Sequence, residues 1–163
     1  MNADAENGHA IDKAHPQGQT LNKDSFVIVE TLSERQIEEV HALIQQQWWG
    51  GKRSLEDVKL MAANTSLMLG LIEKSSGRLV GFCRVLTDFA FRATIYDVMV
   101  AEEMKGRGLG KRLMDTLCNH PSLQRVSFIY LACEPELSSF YERWGFKTYE
   151  SRAEWMIKIQ REE

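Results

Sequence analysis

From residue 25 onward the apolar and polar positions fall into short periodic segments. Residues 25–30 alternate around Phe26, Ile28 and Val29 and predict a first strand. Ser33 with Gln36 three positions later is a capping-box pattern, and Ile37, Val40, Ile44 and Trp48 then recur at helical spacing until Gly50-Gly51 ends the run. A second capping pattern, Ser54 with Asp57, opens a shorter helix carrying Leu55, Val58 and Met61. The period then changes. Residues 66–73 and 78–87, joined by Ser75-Ser76-Gly77, read as an antiparallel hairpin, and 93–101 as a third β segment beyond the 88–92 connection. Helical spacing returns over 106–118, with Leu109, Leu113, Met114 and Leu117 on one face and His120-Pro121 as the stop. Residues 126–133 are apolar almost throughout, as expected of a strand covered on both faces. Pro135 opens a last helix with Leu137, Phe140, Tyr141 and Trp144 inward, Gly145 closes it, and 146–150 and 153–159 supply final strands. The predicted order is β α α β β β α β α β β, an α/β chain without internal repeats.

Residues 1–24 offer only Ile11 and Leu21 as large aliphatics, too little apolar surface to offset the entropy of ordering, so they predict a flexible tail ahead of one domain over 25–163. A length of 163 residues leaves no room for a second folded module, and a hydrophobic share of 44% supports a real core. Twenty basic against 23 acidic residues, a net charge of -3, exclude the electrostatic footprint of a nucleic-acid binder. The longest apolar runs fall short of the ~20 residues that span a bilayer, and the first residues lack a basic region followed by an apolar core, so no membrane partner and a cytoplasmic location are expected. Cys83, Cys118 and Cys133 are odd in number and widely spaced, which suits small buried hydrophobes better than a disulfide framework. The four histidines, at 9, 15, 41 and 120, have no Cys or His partner at ligand spacing, so no metal is expected, and His41 reads as a helix-surface residue. There is no G-x-S-x-G elbow.

The chemistry concentrates in Tyr96-Asp97-Val98-Met99-Val100, a short acidic connection, and Lys105-Gly106-Arg107-Gly108-Leu109-Gly110-Lys111. A strand feeding a Gly-rich turn that opens a helix aims backbone N–H groups and the positive end of the helix dipole at one point, which suits a pyrophosphate. Walker A fails on spacing, because Gly106 and Gly110 enclose three residues and Arg112 follows Lys111. The dinucleotide fingerprint fails because Lys111 stands where its third glycine belongs. Glycines that merely permit tight turns are the alternative reading of this loop.

These residues resemble the GCN5-related N-acetyltransferases, the GNAT family, whose acetyl-CoA signature is Arg/Gln-x-x-Gly-x-Gly/Ala between the fourth strand and third helix. Lys105-Gly106-Arg107-Gly108-Leu109-Gly110 departs from it only at Lys105, which keeps the charge but not the fork of Arg. Phe140-Tyr141-Glu142-Arg143-Trp144-Gly145-Phe146 is similar to the second hallmark, Phe-Tyr-x-x-x-Gly-Phe, and lies at the expected distance downstream. The resemblance runs from about residue 25 to the end, and within the family 96–117 is locally similar to glucosamine-6-phosphate acetyltransferases. It implies a mixed, mostly antiparallel sheet with helices on both faces, and acetyl-CoA as co-substrate in a cleft where the fourth strand splays from the fifth. Main-chain groups of Val98, Met99 and Val100 would then receive the pantetheine arm and thioester, and residues 105–111 the pyrophosphate.

By the same resemblance Tyr141 matches the general acid, and its reference pKa of ~10 leaves it protonated at neutral pH. Its alternative is a core aromatic, since Leu137, Phe140 and Trp144 share its face. Two carboxylates are candidates for the base: Asp97, taken first, and Glu134, which sits where many members carry Asn. Asp97 could instead pair with Arg84 or Arg92, and Glu134 could be an N-terminal helix charge. Trp48 and Trp49 fall in the region that walls the acceptor cleft in the family. Adjacent helical residues point about 100° apart, so one could reach the substrate while the other packs, or Trp48 could be core and Trp49 partly exposed.

The expectation is direct acetyl transfer to the amine of an acceptor, of small-molecule kind, with no covalent intermediate and no metal. A rival of another class is a non-catalytic acetyl-CoA-binding sensor, against which the retention of Tyr141 argues. A homodimer is one assembly left open. Deleting residues 1–24 should leave the melting temperature and acetyl-CoA affinity within error, whereas a drop of several degrees would show that this segment packs on the domain.

Overall fold

The computed structural model describes residues 25–149, 154 and 156–160; the flexible-tail expectation for 1–24 lies outside them. The elements in chain order are β1 (Phe26–Val29), α1 (Glu34–Gln45), α2 (Leu55–Ala63), β2 (Leu67–Glu73), β3 (Leu79–Thr87), β4 (Arg92–Val100), α3 (Leu109–Cys118), β5 (Phe128–Tyr130) and the short α4 (Ser138–Tyr141). Single 3-10 turns flank α4 at Pro135–Leu137 and Glu142–Trp144.

The capping box predicted for α1 is complete: the Ser33 side chain accepts from the Gln36 N–H, and Gln36 Oε1 accepts from the Ser33 N–H at 2.9 Å. Ser54 caps α2 in the same sense, accepting from the Asp57 N–H. Helix α1 stops at Gln45, a turn earlier than the apolar spacing suggests. The chain there folds back on the helix end so tightly that a Cβ on Gly50 would lie 2.1 Å from the Ile44 carbonyl oxygen, which only glycine tolerates.

The five strands form one sheet in sequential order, antiparallel throughout except for the parallel β4–β5 pair that α3 connects. Successive strand positions point to opposite faces, and the glycines show what covers each. A Cβ on Gly81 would meet Leu113 of α3 and Leu71, whereas one on Gly70 would meet Leu32 at the entrance to α1. Helix α3 therefore covers one face and the α1 side the other. Between them Leu69, Leu71, Val80, Phe82, Cys83 and Val85 are fully buried, closed by Val40 and Ile44 from α1 and by Leu113, Met114 and Leu117 from α3. No helix among the described residues is long and apolar enough to cross a membrane.

Several sequence expectations change. Strand β5 is three residues long and half-exposed rather than covered on both faces, because it ends the sheet and nothing among the described residues pairs with its outer edge. Of the stripe assigned to the last helix only Tyr141 is buried; Leu137 is 44% exposed, because the segment is a chain of single turns. The described parts of the two predicted final strands, 146–149, 154 and 156–159, hold no strand. Among the cysteines only Cys83 is buried; Cys118 is half-buried and Cys133 exposed.

Phe82 is fully buried on the face it shares with Gly70, so Phe82→Ala should lower stability by about 3–5 kcal/mol. Urea denaturation checks this, and a loss under 1 kcal/mol would mean the two helical layers collapse onto the void.

Candidate active site

Strand β4 pairs with β5 only at Arg92↔Phe128, Ala93↔Ile129 and Thr94↔Tyr130, then runs on to Val100 while β5 stops at Tyr130. Past Thr94 the outer edge of β4 has no ladder partner among the described residues, which leaves the main-chain groups of Val98 and Val100 facing an opening. On the inner edge Arg84 pairs with Tyr96 and Phe82 with Met99, so Asp97 and Val98 together oppose Cys83 in a β-bulge. Asp97 accordingly has φ 53°, a left-handed conformation that Asp tolerates better than most side chains. Met99 is buried, and Val98 and Val100 are half-buried, so their side chains serve the core, as expected for residues offering only backbone to a ligand.

Arg84 Nε donates to Asp97 Oδ2 at 2.5 Å, and Arg53 Nη1 donates to Oδ1 at a longer 3.4 Å. The Asp97 side chain is only 6% exposed. Each guanidinium also lies over an aromatic face, Arg84 on Tyr96 and Arg53 on Trp49, both at 4.7 Å. Of the two partners expected for Asp97, Arg84 makes the pair, while Arg92 lies 4.3 Å over Phe128. Arg53 was not anticipated. It stands in a turn with no periodic pattern, 44 residues from Asp97, and no local signal marks it.

That turn, 46–54, overturns one alternative for its tryptophans, the one that put Trp48 in the core. Trp48 is 81% exposed instead of core, because the helix stops short of it, while Trp49 packs half-buried against the core. Helix α1 holds the turn: Gln45 Nε2 donates to the carbonyls of Arg53 at 2.8 Å and Gly50 at 3.2 Å, and His41 Nε2 lies 3.0 Å from the same Arg53 oxygen. His41 is thus an anchor of the turn and not simply a helix-surface residue.

At the other end of β4, Gly106 and Gly108 take φ 74° and 75°, and a Cβ on either would project into open space. Gly108 is the N-cap of α3, with no side-chain cap bond and no acid in the first turn. None of the N–H groups of residues 106–111 has a backbone acceptor among the described residues. An exposed set of unpaired donors at the positive end of a helix fits the pyrophosphate of a nucleotide cofactor. The side chains of Lys105, Arg107 and Lys111 are exposed around it, with Lys105 on Glu102 and Lys111 on Asp115, and Leu109 is buried as the helix anchor. Gly110 faces inward, where its Cβ direction meets Phe140 Cζ at 3.6 Å and Val100 Cγ2 at 3.8 Å.

That contact brings both sequence hallmarks and the end of β4 to one place. The Tyr141 ring is buried edge-on against Phe140 and Phe146, with centroids 5.0 and 6.3 Å away, and burial pushes its hydroxyl up to about 12, with smaller contributions from Cys133 and Cys83. The hydroxyl makes no hydrogen bond to a described residue, and no buried side-chain oxygen among the described residues lacks a partner, so the hydroxyl is not sealed from solvent. Trp144 Nε1 donates to Asp115 Oδ1 at 3.0 Å and ties this segment to α3. Glu134 is exposed where the chain leaves β5 for the Pro135 turn, and its side chain makes no cap bond.

The acetyltransferase (GNAT) family model matches residues 27–146, which contain every part of this arrangement. The chain belongs to the GNAT family. Members of the family transfer an acetyl group from acetyl-CoA. The chain is 42% identical over 58% of its length to an uncharacterized N-acetyltransferase, ycf52, of Porphyra purpurea, and spans 56% of that relative. A crystal structure of a putative acetyltransferase of the family from Xanthomonas campestris pv. campestris is 31% identical, covers 76% of this chain and 85% of its own, and superposes with a TM-score of 0.69. Glucosamine-6-phosphate N-acetyltransferase from Arabidopsis thaliana shares the fold at 20% identity and a TM-score of 0.64, covering 81% of this chain and 99% of its own.

Gly108→Glu should place a carboxylate in the donor-lined opening and weaken CoA binding at least about 100-fold, on the scale of a like-charge clash. Gly108→Ala, which adds left-handed strain without charge, should cost less. Calorimetric titration with CoA decides it, and unchanged affinity in folded Gly108→Glu would remove the loop as the pyrophosphate site.

Proposed function

We propose that this chain moves an acetyl group from acetyl-CoA directly to the primary amine of a small-molecule acceptor, with Tyr141 as general acid. The observation that carries the reading is the packing of Gly110 between Val100 and Phe140, which joins the pyrophosphate loop, the open end of β4 and the tyrosine in one cleft. Backbone N–H groups of 106–111 would hold the pyrophosphate, and the parted edge of β4 at Val98, Met99 and Val100 would take the pantetheine arm in place of a neighbouring strand. A main-chain N–H on that edge would stabilise the charge that develops on the thioester oxygen during attack.

Tyr141 would donate its proton to the departing thiolate. Because burial raises its pKa to about 12, the hydroxyl stays protonated across the working range. For the base our reading departs from the sequence preference for Asp97. Both oxygens of Asp97 are engaged by guanidinium groups, so accepting a proton would mean giving up a buried ion pair, whereas Glu134 is exposed and free of a cap bond. Glu134 is therefore our choice for the group that takes the amine proton, through water. The reading places the reaction in the cytoplasm, which the three free cysteines support.

Thiol release measured against a panel of amines, from amino sugars and polyamines to peptide N-termini, tests the activity. CoA binding without thiol release from any of them would favour the sensor instead. With an acceptor in hand, Tyr141→Phe should cut the single-turnover rate by about 10²- to 10⁴-fold with little change in acetyl-CoA affinity. An unchanged rate would return Tyr141 to the role of core aromatic. The raised pKa also sets a sign: the donor is lost only as pH climbs past 10 toward 12, so no alkaline decline from this group should appear below pH 10.

A further inference from the structure

We propose that Arg53 is a positioning residue for this reaction: through Asp97 it locks the 46–54 turn to the bulge of β4, so that one carboxylate sets both the acceptor-side wall and the strand that receives the thioester. The roles of the two segments rest on the acetyltransferase reading above; the coupling between them does not.

Four observations converge on it. Asp97 occupies a left-handed position that glycine would take more easily, so the residue is there for its carboxylate. That carboxylate is 6% exposed and bridges guanidinium groups from two different elements, Arg84 from β3 and Arg53 from the turn. Each guanidinium is held from its other side by an aromatic face, Tyr96 or Trp49, so the row Trp49, Arg53, Asp97, Arg84, Tyr96 is fixed in order. Finally, Arg53 is held at both ends: its carbonyl by Gln45 and His41 of α1, its side chain by Asp97. A turn so held cannot shift without disturbing the bulge, and the bulge determines which way the peptide groups of Val98 and Val100 face.

Amide hydrogen exchange on the full chain tests the coupling without any ligand. Asp97→Asn keeps a side chain that accepts the left-handed backbone but removes the charge, and should raise exchange across 46–54 by about tenfold or more, while α3 stays protected. Arg53→Met should do the same and should also loosen 98–100. Arg53→Lys, which keeps the charge but not the fork, should restore part of the protection. Over 46–54 the double variant should exceed Asp97→Asn by no more than about twofold, because Arg53→Met removes an ion pair that Asp97→Asn has already lost. In turnover with an acceptor found by thiol release, Arg53→Met should raise the KM of the acceptor and of acetyl-CoA together by about tenfold, and Arg53→Lys should recover part of both, a rescue that general destabilisation would not produce.

Unchanged exchange over 46–54 in Asp97→Asn, or additive effects in the double variant, overturns the proposal. Should Asp97→Asn fail to fold, the comparison of Arg53→Met with Arg53→Lys decides alone, and equal exchange in those two and the wild type overturns it. A wild-type chain that binds no CoA would sink the acetyltransferase reading while the exchange data still judge the coupling. Flat exchange in a chain that does bind CoA sinks the coupling alone.

Discussion

The parting of β4 from β5 after Thr94 is the constraint on which the rest of the site depends. A strand inside a sheet normally satisfies its backbone on both edges, and peptide groups left unpaired near a core are costly. Here β4 keeps its inner edge on β3 to the end while its outer edge is released over the stretch that leads to the Gly-rich turn. An extended, amide-bearing ligand arm can complete such an edge as an added strand would. The bulge at Asp97 and Val98 follows from the same constraint, because it changes which peptide groups face outward just where the edge becomes free.

Electrostatics at the two ends of the cleft is local and owes nothing to the chain's net charge of -3. At the pyrophosphate end the positive field comes from unpaired N–H groups at the start of α3, with no acid in its first turn to quench them. At the end where the thioester is proposed to lie, the Tyr141 ring is buried and desolvation keeps its hydroxyl protonated. Both effects rest on short elements pinned to α3, by Gly110 under Phe140 and by Trp144 on Asp115. The region around the 46–54 turn is built differently, from alternating cations and aromatic faces around one buried carboxylate.

What the sequence determined by itself is everything with a short-range cause. The capping residues Ser33 and Ser54, the stripes of α1 and α3, the β2–β3 hairpin and the Gly-rich loop depend on neighbours within a few positions, and each lies where its pattern put it. The family follows from the spacing of two motifs for the same reason. Tertiary structure decided what depends on partners far along the chain. Trp48 is exposed because a tight return at Gly50 ends α1 before the apolar spacing does, and β5 is short because an apolar run says nothing of how far its neighbour stays beside it. The surroundings of Asp97 depend on distant partners too. Its identity suggested a base; two guanidinium groups, one from the 46–54 turn and one from β3, hold both of its oxygens, because the charges beside a carboxylate are brought there by tertiary structure and not by its place in the chain.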